Sequence, residues 1–141
     1  CIGNAEVISK FRTIRSQFDY GVSYIVQKAA IAALTGPQEG VASQQKLYQI
    51  RRNALCGGLR SIGWDVPDSE GTMFVWAPIP ESYTSSEKFC LDMLSNTGVL
   101  CTPGSAFGTN GEGFVRFALV HPENVIKEAV EKIDEWLGLK K

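Results

Sequence analysis

Residues 98–119 read GVLCTPGSAFGTNGEGFVRFAL: a short apolar segment, a glycine-rich loop and a second apolar segment containing one arginine. We predict strands over 99–101 and 114–120 and a loop over 102–113, since apolar runs bounded by glycine and proline are typical of strands and turns. The loop could be a phosphate cradle or a sharp crossover whose glycines take positive φ. The crossover is favoured, because no Gly-Lys-Ser/Thr follows and the next element is a strand.

Arg116 is the charged residue of an otherwise apolar strand. Unpaired charges are almost never fully buried, so its side chain either faces solvent at a sheet edge or meets an anion. The planar guanidinium suits a carboxylate, to which it can donate two parallel hydrogen bonds. Composition alone favours the solvated position.

Apolar residues at helical spacing predict three helices in the first 62 residues. Asn4 is a favourable N-cap for the first helix. The second covers 24–34, and we expect Gly36 to end it in the left-handed conformation. The third and longest covers 38–61.

Downstream, the pattern changes to shorter segments. We predict an antiparallel hairpin of strands 64–67 and 72–77. Thr84-x-x-Glu87 is a capping-box pattern that begins a further helix, and Pro122 is placed to be the first residue of a final one.

This order of elements predicts an α+β fold, a small sheet with helices packed on one face, because helices and strands are partly segregated. We divide the chain into a helical connecting segment, 1–62, and an α+β small domain, 63–141. The chain opens Cys1-Ile2-Gly3-Asn4, with neither an initiator methionine nor a leader. We therefore expect it to begin inside a longer protein.

Composition excludes several classes of protein. Apolar residues make up 44% and charged residues 21%, which is ordinary for a globular domain and excludes disorder. The formal net charge of −1 and the absence of a basic stripe argue against nucleic-acid binding. No apolar run approaches the roughly 18 residues that a membrane-spanning helix needs.

Cysteine, histidine and tryptophan are the other candidates for chemistry. The cysteines form no C-x-x-C pair and indicate reduced thiols of a cytoplasmic protein more than a disulfide frame or a metal site; they are Cys1, Cys56, Cys90 and Cys101. His121 is favoured as a turn residue or cap over a general base. We expect all three tryptophans in the core: Trp64, Trp76 and Trp136.

Three segments resemble the last third of class I/II aminotransferases, the pyridoxal-phosphate-dependent enzymes of the aspartate aminotransferase superfamily (fold type I). They are 71–76, 98–108 and 113–119. Residues 3–8 and 27–34 resemble earlier segments of the same proteins. The likeness extends over the entire chain in register, and the proline–glycine loop followed by the arginine strand is its most specific part.

The resemblance implies the small C-terminal domain of a homodimeric enzyme of amino acid metabolism, which moves an amino group between an amino acid and a 2-oxo acid. It also implies that Arg116 binds the α-carboxylate of the substrate, which reverses the choice that composition favours. Two alternatives remain open. One is another reaction or role on the same fold, such as a carbon–sulfur lyase or the effector domain of a transcription regulator. The other is a stand-alone, non-catalytic binding domain.

The resemblance further implies pyridoxal 5'-phosphate in the intact enzyme but no covalent cofactor on this chain. In the family, the Schiff-base lysine, the aspartate that pairs with the pyridine nitrogen and most phosphate contacts lie upstream of the stretch that matches residues 1–4. Lys10, Lys28, Lys46 and the other five lysines match no Schiff-base position. We therefore assign no catalytic or cofactor-binding residue and expect the isolated chain to be inactive.

Overall fold

A computed structural model describes residues 1–138 and shows five α-helices and a three-stranded sheet. The helices are α1 Ala5–Arg15, α2 Tyr24–Thr35, α3 Glu39–Ser61, α4 Ser86–Thr97 and α5 Glu123–Leu137. The strands are β1 Phe74–Pro78, β2 Thr102–Pro103 and β3 Phe114–Ala118. The described residues form two compact units, an N-terminal unit of residues 1–40 and a C-terminal unit from residue 41 onward.

The N-terminal unit contains α1 and α2, and its helix ends follow local signals. The side chain of Asn4 accepts hydrogen bonds from the backbone N–H groups of Glu6 and Val7, at 3.0 and 3.3 Å, so the predicted N-cap is confirmed. The predicted left-handed Gly36 is wrong, because its φ of −80° and ψ of −176° are those of an extended residue. A Cβ at Gly36 would lie 2.6 Å from the carbonyl oxygen of Ala32, so close backbone approach is what favours glycine here.

The C-terminal unit is built on an antiparallel sheet in the order β1-β3-β2. One face of the sheet is buried through alternate residues of β1 and β3, namely Val75, Ala77, Val115 and Phe117. These pack in a common core with Phe89 and Met93 of α4 and with the buried face of α5. The predicted α+β class, with helices on one face of a small sheet, is confirmed.

The second half of α3 also belongs to this core. Leu55, Cys56 and Leu59 are buried, and a Cβ at Gly58 would lie 2.9 Å from a methyl group of Val130 in α5. The structure therefore divides the chain after Gly40, within the segment 1–62 that we expected to be one connecting unit. The assignment of that segment to a large domain and an interdomain helix stays a prediction.

The predicted hairpin is wrong. Residues 64–67 form no strand, and β1 pairs instead with β3, which lies much further along the chain. Side-chain hydrogen bonds hold this segment instead. Arg60 donates to the carbonyl oxygen of Val66 at 2.7 Å, and the indole N–H of Trp64 donates to that of Pro78 at 2.7 Å.

Three boundaries differ from the prediction by one or a few residues. The N-cap of α4 is Ser85 and not Thr84, since its hydroxyl accepts from the N–H of Lys88 at 3.2 Å. The second strand lies at 102–103 instead of 99–101. Pro122 precedes α5 as its N-cap, so the helix begins one residue later than predicted.

None of the helices in residues 1–138 combines the length and the apolar character needed to cross a membrane.

Candidate functional site

The candidate site lies on the face of the sheet opposite the core, which we call the outer face. Along β3, Val115 and Phe117 point into the core, and the alternation places Arg116 on the outer face. In the pairing register Arg116 stands opposite Trp76 of β1 on one side and Thr102 of β2 on the other. The arginine therefore occupies the central strand, not the sheet edge that composition favoured.

The guanidinium of Arg116 lies against two aromatic rings. Its central carbon is 4.1 Å from the ring centroid of Phe74 and 4.4 Å from that of Phe107. The side chain is half-buried. Across residues 1–138, no carboxylate forms an ion pair with it. The structure thus holds a positive charge against aromatic rings without a carboxylate partner in the described residues.

A second layer of rings supports these contacts. Trp76 packs edge-on against Phe107, with centroids 5.6 Å apart, and stacks on Phe114 at 5.7 Å. Trp76 is 36% exposed, so the expectation that all three tryptophans lie in the core is wrong for this one. On the outer face its neighbours are the aromatic side chains beside Arg116.

Phe107 reaches Arg116 because the glycine-rich loop folds back on itself. A Cβ on Gly104 would lie 2.0 Å from the carbonyl oxygen of Gly111, so neither position accommodates a side chain. The loop is a crossover between β2 and β3, as predicted. Of its glycines, Gly108 (φ 109°) and Gly113 (φ 85°) take the positive φ that we expected, and Gly104 and Gly111 do not.

Glu112 fastens this loop to the start of α4. Its carboxylate accepts from the N–H of Ser86 at 2.6 Å and from the N–H of Gly113 at 2.9 Å. The bonds from Gly113 and Ser86 hold the pKa of Glu112 below its usual value. The buried hydroxyl of Ser86 also lies 3.2 Å from that of Ser105. The loop conformation, and with it the position of Phe107, is therefore set by specific polar contacts.

A cavity of about 470 Å³ opens next to the site, between residues 98–102, the end of β3 and α5. Its lining is largely aliphatic, with Arg116, Thr102 and His121 as polar members. His121 is exposed in the turn after β3, where it was predicted.

The cysteines form no disulfide, but two of them lie closer together in space than their separation in the sequence indicated. The sulfur atoms of Cys90 and Cys101 are 3.2 Å apart in the core. Burial, before any other cause, raises the pKa of both thiols and that of Cys56. Protonated buried thiols are poor nucleophiles. Within residues 1–138, no three side chains of His, Cys, Asp or Glu meet in an arrangement for a metal ion.

Sequence reasoning identified Arg116 but missed Phe74 and Phe107. Both belong to segments that were singled out for other reasons, and no local spacing connects either of them to the arginine. Only the register of β1 against β3 and the closure of the glycine-rich loop bring the three side chains together.

Comparison with known proteins assigns this arrangement to a family. The family model described as aminotransferase class I and II matches residues 1–133. The chain belongs to the class I and II aminotransferases. The resemblance of the glycine-rich loop and arginine strand to these enzymes is therefore confirmed, and so is the pyridoxal-phosphate class of protein.

Individual aminotransferases match over nearly the whole chain. LL-diaminopimelate aminotransferase of Moorella thermoacetica is 43% identical over 96% of this chain and 35% of its own length. The protein of the same name from Halothermothrix orenii is 41% identical over 94% and 34%. An aminotransferase structure from Staphylococcus aureus superposes with a TM-score of 0.84 at 26% identity, covering 99% of this chain and 37% of that one.

The chain spans about a third of the length of the aminotransferases it matches. The family and the fold follow from these matches, and the outer face adds an arginine that has no ion-pair partner in residues 1–138.

Proposed function

We propose that this chain supplies the carboxylate-binding arginine of a pyridoxal-phosphate-dependent aminotransferase that exchanges an amino group between an amino acid and a 2-oxo acid. The observation that carries the proposal is the environment of Arg116. Its guanidinium is half-buried against Phe74 and Phe107 and has no anionic partner in residues 1–138.

The chemistry of both substrates fits such a group. Every α-amino acid and every 2-oxo acid carries a carboxylate next to the reacting carbon, so one fixed arginine serves both halves of the reaction. Two parallel charge-assisted hydrogen bonds would orient the substrate as well as hold it. Apolar surroundings strengthen these bonds, because water competes less for the guanidinium.

The six lysines within residues 1–138 do not fit a covalent anchor for pyridoxal phosphate, whose chemistry is to stabilise negative charge on the substrate carbon. Four of them form exposed ion pairs one helical turn away, with Glu6, Asp92, Glu123 and Glu128. Lys28 lies over the ring of Tyr24 on exposed α2, and Lys46 is exposed on α3. None of these ammonium groups is desolvated as a Schiff-base lysine is. We therefore propose that the 141 residues alone do not transaminate.

The substrate range rests on the relatives. Because the similar proteins from Moorella and Halothermothrix are named LL-diaminopimelate aminotransferases, LL-diaminopimelate is the amino donor to test first. We also propose a homodimer, supported by exposed apolar side chains on α1 and α2 such as Val7, Ile14 and Ile25. A cytoplasmic location is supported by the free cysteines.

The test uses the complete enzyme that contains this chain, loaded with pyridoxal phosphate. Losing one partner of a desolvated charge pair costs roughly 2–5 kcal/mol. Arg116→Ala should therefore lower kcat/KM for amino acids by about thirtyfold to several thousandfold, while the cofactor absorbance stays intact. Arg116→Lys should recover only part of the loss, because an ammonium lacks the two-pronged geometry.

Two controls make the result specific. A simple amine without a carboxylate should react slowly but equally with the wild type and both Arg116 variants. Arg12→Ala, at an exposed position in α1, should leave the kinetics unchanged. Equal losses for the amine and the amino acid would assign Arg116 to folding instead, and unchanged kinetics with amino acids would overturn the proposal.

A further inference from the structure

We propose that Phe74 and Phe107 are positioning residues: the two rings cover the faces of the Arg116 guanidinium and leave its in-plane N–H groups as the only route for a carboxylate. This inference rests on the proposed function of Arg116. Its basis is the pair of contacts at 4.1 and 4.4 Å from the guanidinium carbon to the two ring centroids.

The physical argument begins with the shape of the guanidinium. The group is planar, so a ring stacked on a face blocks approach from that side and leaves the hydrogen-bonding edge free. A ring also attracts the cation through its quadrupole, and this attraction grows as water is excluded. Arg116 is half-buried, and no carboxylate in residues 1–138 forms an ion pair that would fix its rotamer. The two rings are therefore what orients its side chain.

The rings come from different parts of the fold and are held in different ways. Phe74 is part of β1, two residues from Trp76, which stands opposite Arg116 in the register. Phe107 ends the first turn of the glycine-rich loop. Phe107 is 52% exposed, so burial of its ring does not by itself explain the position of the side chain. Trp76 supports it from one side, while the close approach of Gly104 to Gly111 fixes the loop that carries it.

One consequence is that the glycine-rich loop acts on the substrate through a side chain. The backbone contacts of the loop determine where Phe107 lies, and Phe107 determines the orientation of the Arg116 guanidinium. A variant that removes the ring but keeps an apolar side chain should therefore weaken carboxylate recognition without removing the arginine.

The kinetic test uses Phe107→Leu and Phe107→Tyr in the complete pyridoxal-phosphate enzyme, with LL-diaminopimelate or another accepted amino acid. We expect Phe107→Leu to lower kcat/KM about five- to thirtyfold, mainly through a higher KM, because the lost orientation weakens binding in the ground and transition states alike. Phe107→Tyr keeps a ring and should stay within about twofold of the wild type. An amine without a carboxylate should not distinguish the variants.

The matched control is Phe114→Leu. Phe114 lies on the same outer face and stacks on Trp76, and the cation–π contacts of the guanidinium within residues 1–138 are with Phe74 and Phe107 instead. Its substitution should lower stability without changing the ratio of amino-acid to amine activity. If Phe114→Leu and Phe107→Leu change that ratio equally, the rings support the fold and the positioning role is overturned.

A second measurement needs no activity. In the 141-residue chain, the Nε–H of Arg116 should show a ring-current shift in its proton resonance, because it lies against two aromatic rings. Phe107→Leu should reduce that shift, and Phe107→Tyr should retain it. An unchanged resonance in Phe107→Leu would overturn the proposal. The kinetics of Arg116→Ala distinguish a failure of the proposed function from a failure of the positioning role. If Arg116→Ala has no effect, the proposed function is wrong. If Arg116→Ala has a large effect and Phe107→Leu has none, only the positioning role is wrong.

Discussion

The N-terminal and C-terminal units contain equally regular helices but differ in what those helices bury. No residue of α1 or α2 is buried, although both helices carry apolar side chains at helical spacing. In α4 of the C-terminal unit, Phe89 and Met93 have no exposed surface. Most helical stability in proteins comes from packing of an apolar face. Local signals thus form helices in both units, while only the second unit shows a packed core that would unfold cooperatively.

The largest expected difference between the units is in the free energy of unfolding when one phenylalanine in each is replaced by alanine. The ring of Phe89 packs against those of Trp64, Tyr83 and Trp136, with centroids 5.4, 5.0 and 5.7 Å away. Phe89→Ala should lower the free energy of unfolding by about 3–5 kcal/mol. Phe11→Ala, on exposed α1, should change it by less than about 0.5 kcal/mol. Urea denaturation of the 141-residue chain measures both, and similar losses would show that α1 belongs to the same cooperative core.

A smaller difference should separate the two helix caps. Ser85 caps α4 and Asn4 caps α1 through the same kind of side-chain hydrogen bond. Ser85→Ala should lower the free energy of unfolding of the core by about 1 kcal/mol. Asn4→Ala should instead reduce amide protection in the first turn of α1 and leave the unfolding midpoint unchanged. Hydrogen exchange together with thermal denaturation distinguishes the two results, and a shifted midpoint for Asn4→Ala would contradict the comparison.

The helices were predictable from sequence, because their signals lie within a few residues of one another. Asn4 precedes an amphipathic segment, and Gly98 ends α4 with a φ of 71°. The sheet was less predictable, since its pairing joins segments far apart. The pattern of residues 64–77 predicted a hairpin of two strands adjacent in sequence, whereas β1 pairs with β3. Residues 64–67 form no ladder with β1, and the carbonyl oxygen of Val66 accepts a hydrogen bond from Arg60 instead.

The candidate site shows the same division between local and long-range information. Arg116 was visible in the sequence as a charge in an apolar strand, and the family resemblance gave it a role. Phe74 and Phe107 carried no such signal, because an aromatic residue beside a strand or loop is ordinarily part of the core. Their proximity to the guanidinium follows from strand register and loop closure, which local spacing does not specify.

The smallest expected difference concerns acid. Glu112 in the C-terminal unit and Asp19 in the N-terminal unit both have a pKa below the usual value. For Glu112 the causes are hydrogen bonds from the N–H groups of Gly113 and Ser86. For Asp19 the first cause is the hydrogen bond from Arg15, followed by that from the N–H of Gly21. A pKa lowered by folding stabilises the folded form above the unfolded pKa, and this contribution is lost as pH falls through the folded pKa.

The two carboxylates should therefore respond differently when the thermal midpoint is compared at about pH 6 and about pH 3. Glu112→Gln should lower the midpoint at the higher pH and lower it less at the lower pH, because the contribution of the ionised carboxylate is lost as pH falls through the folded pKa. Its midpoint should thus depend less on pH than that of the wild type. Asp19→Asn should leave this dependence unchanged, because residues 19–21 are exposed. If the thermal midpoint of Glu112→Gln depended on pH as strongly as that of the wild type, the hydrogen bond between the Glu112 carboxylate and the N–H of Ser86 in α4 would contribute nothing to the stability of the loop that carries Phe107.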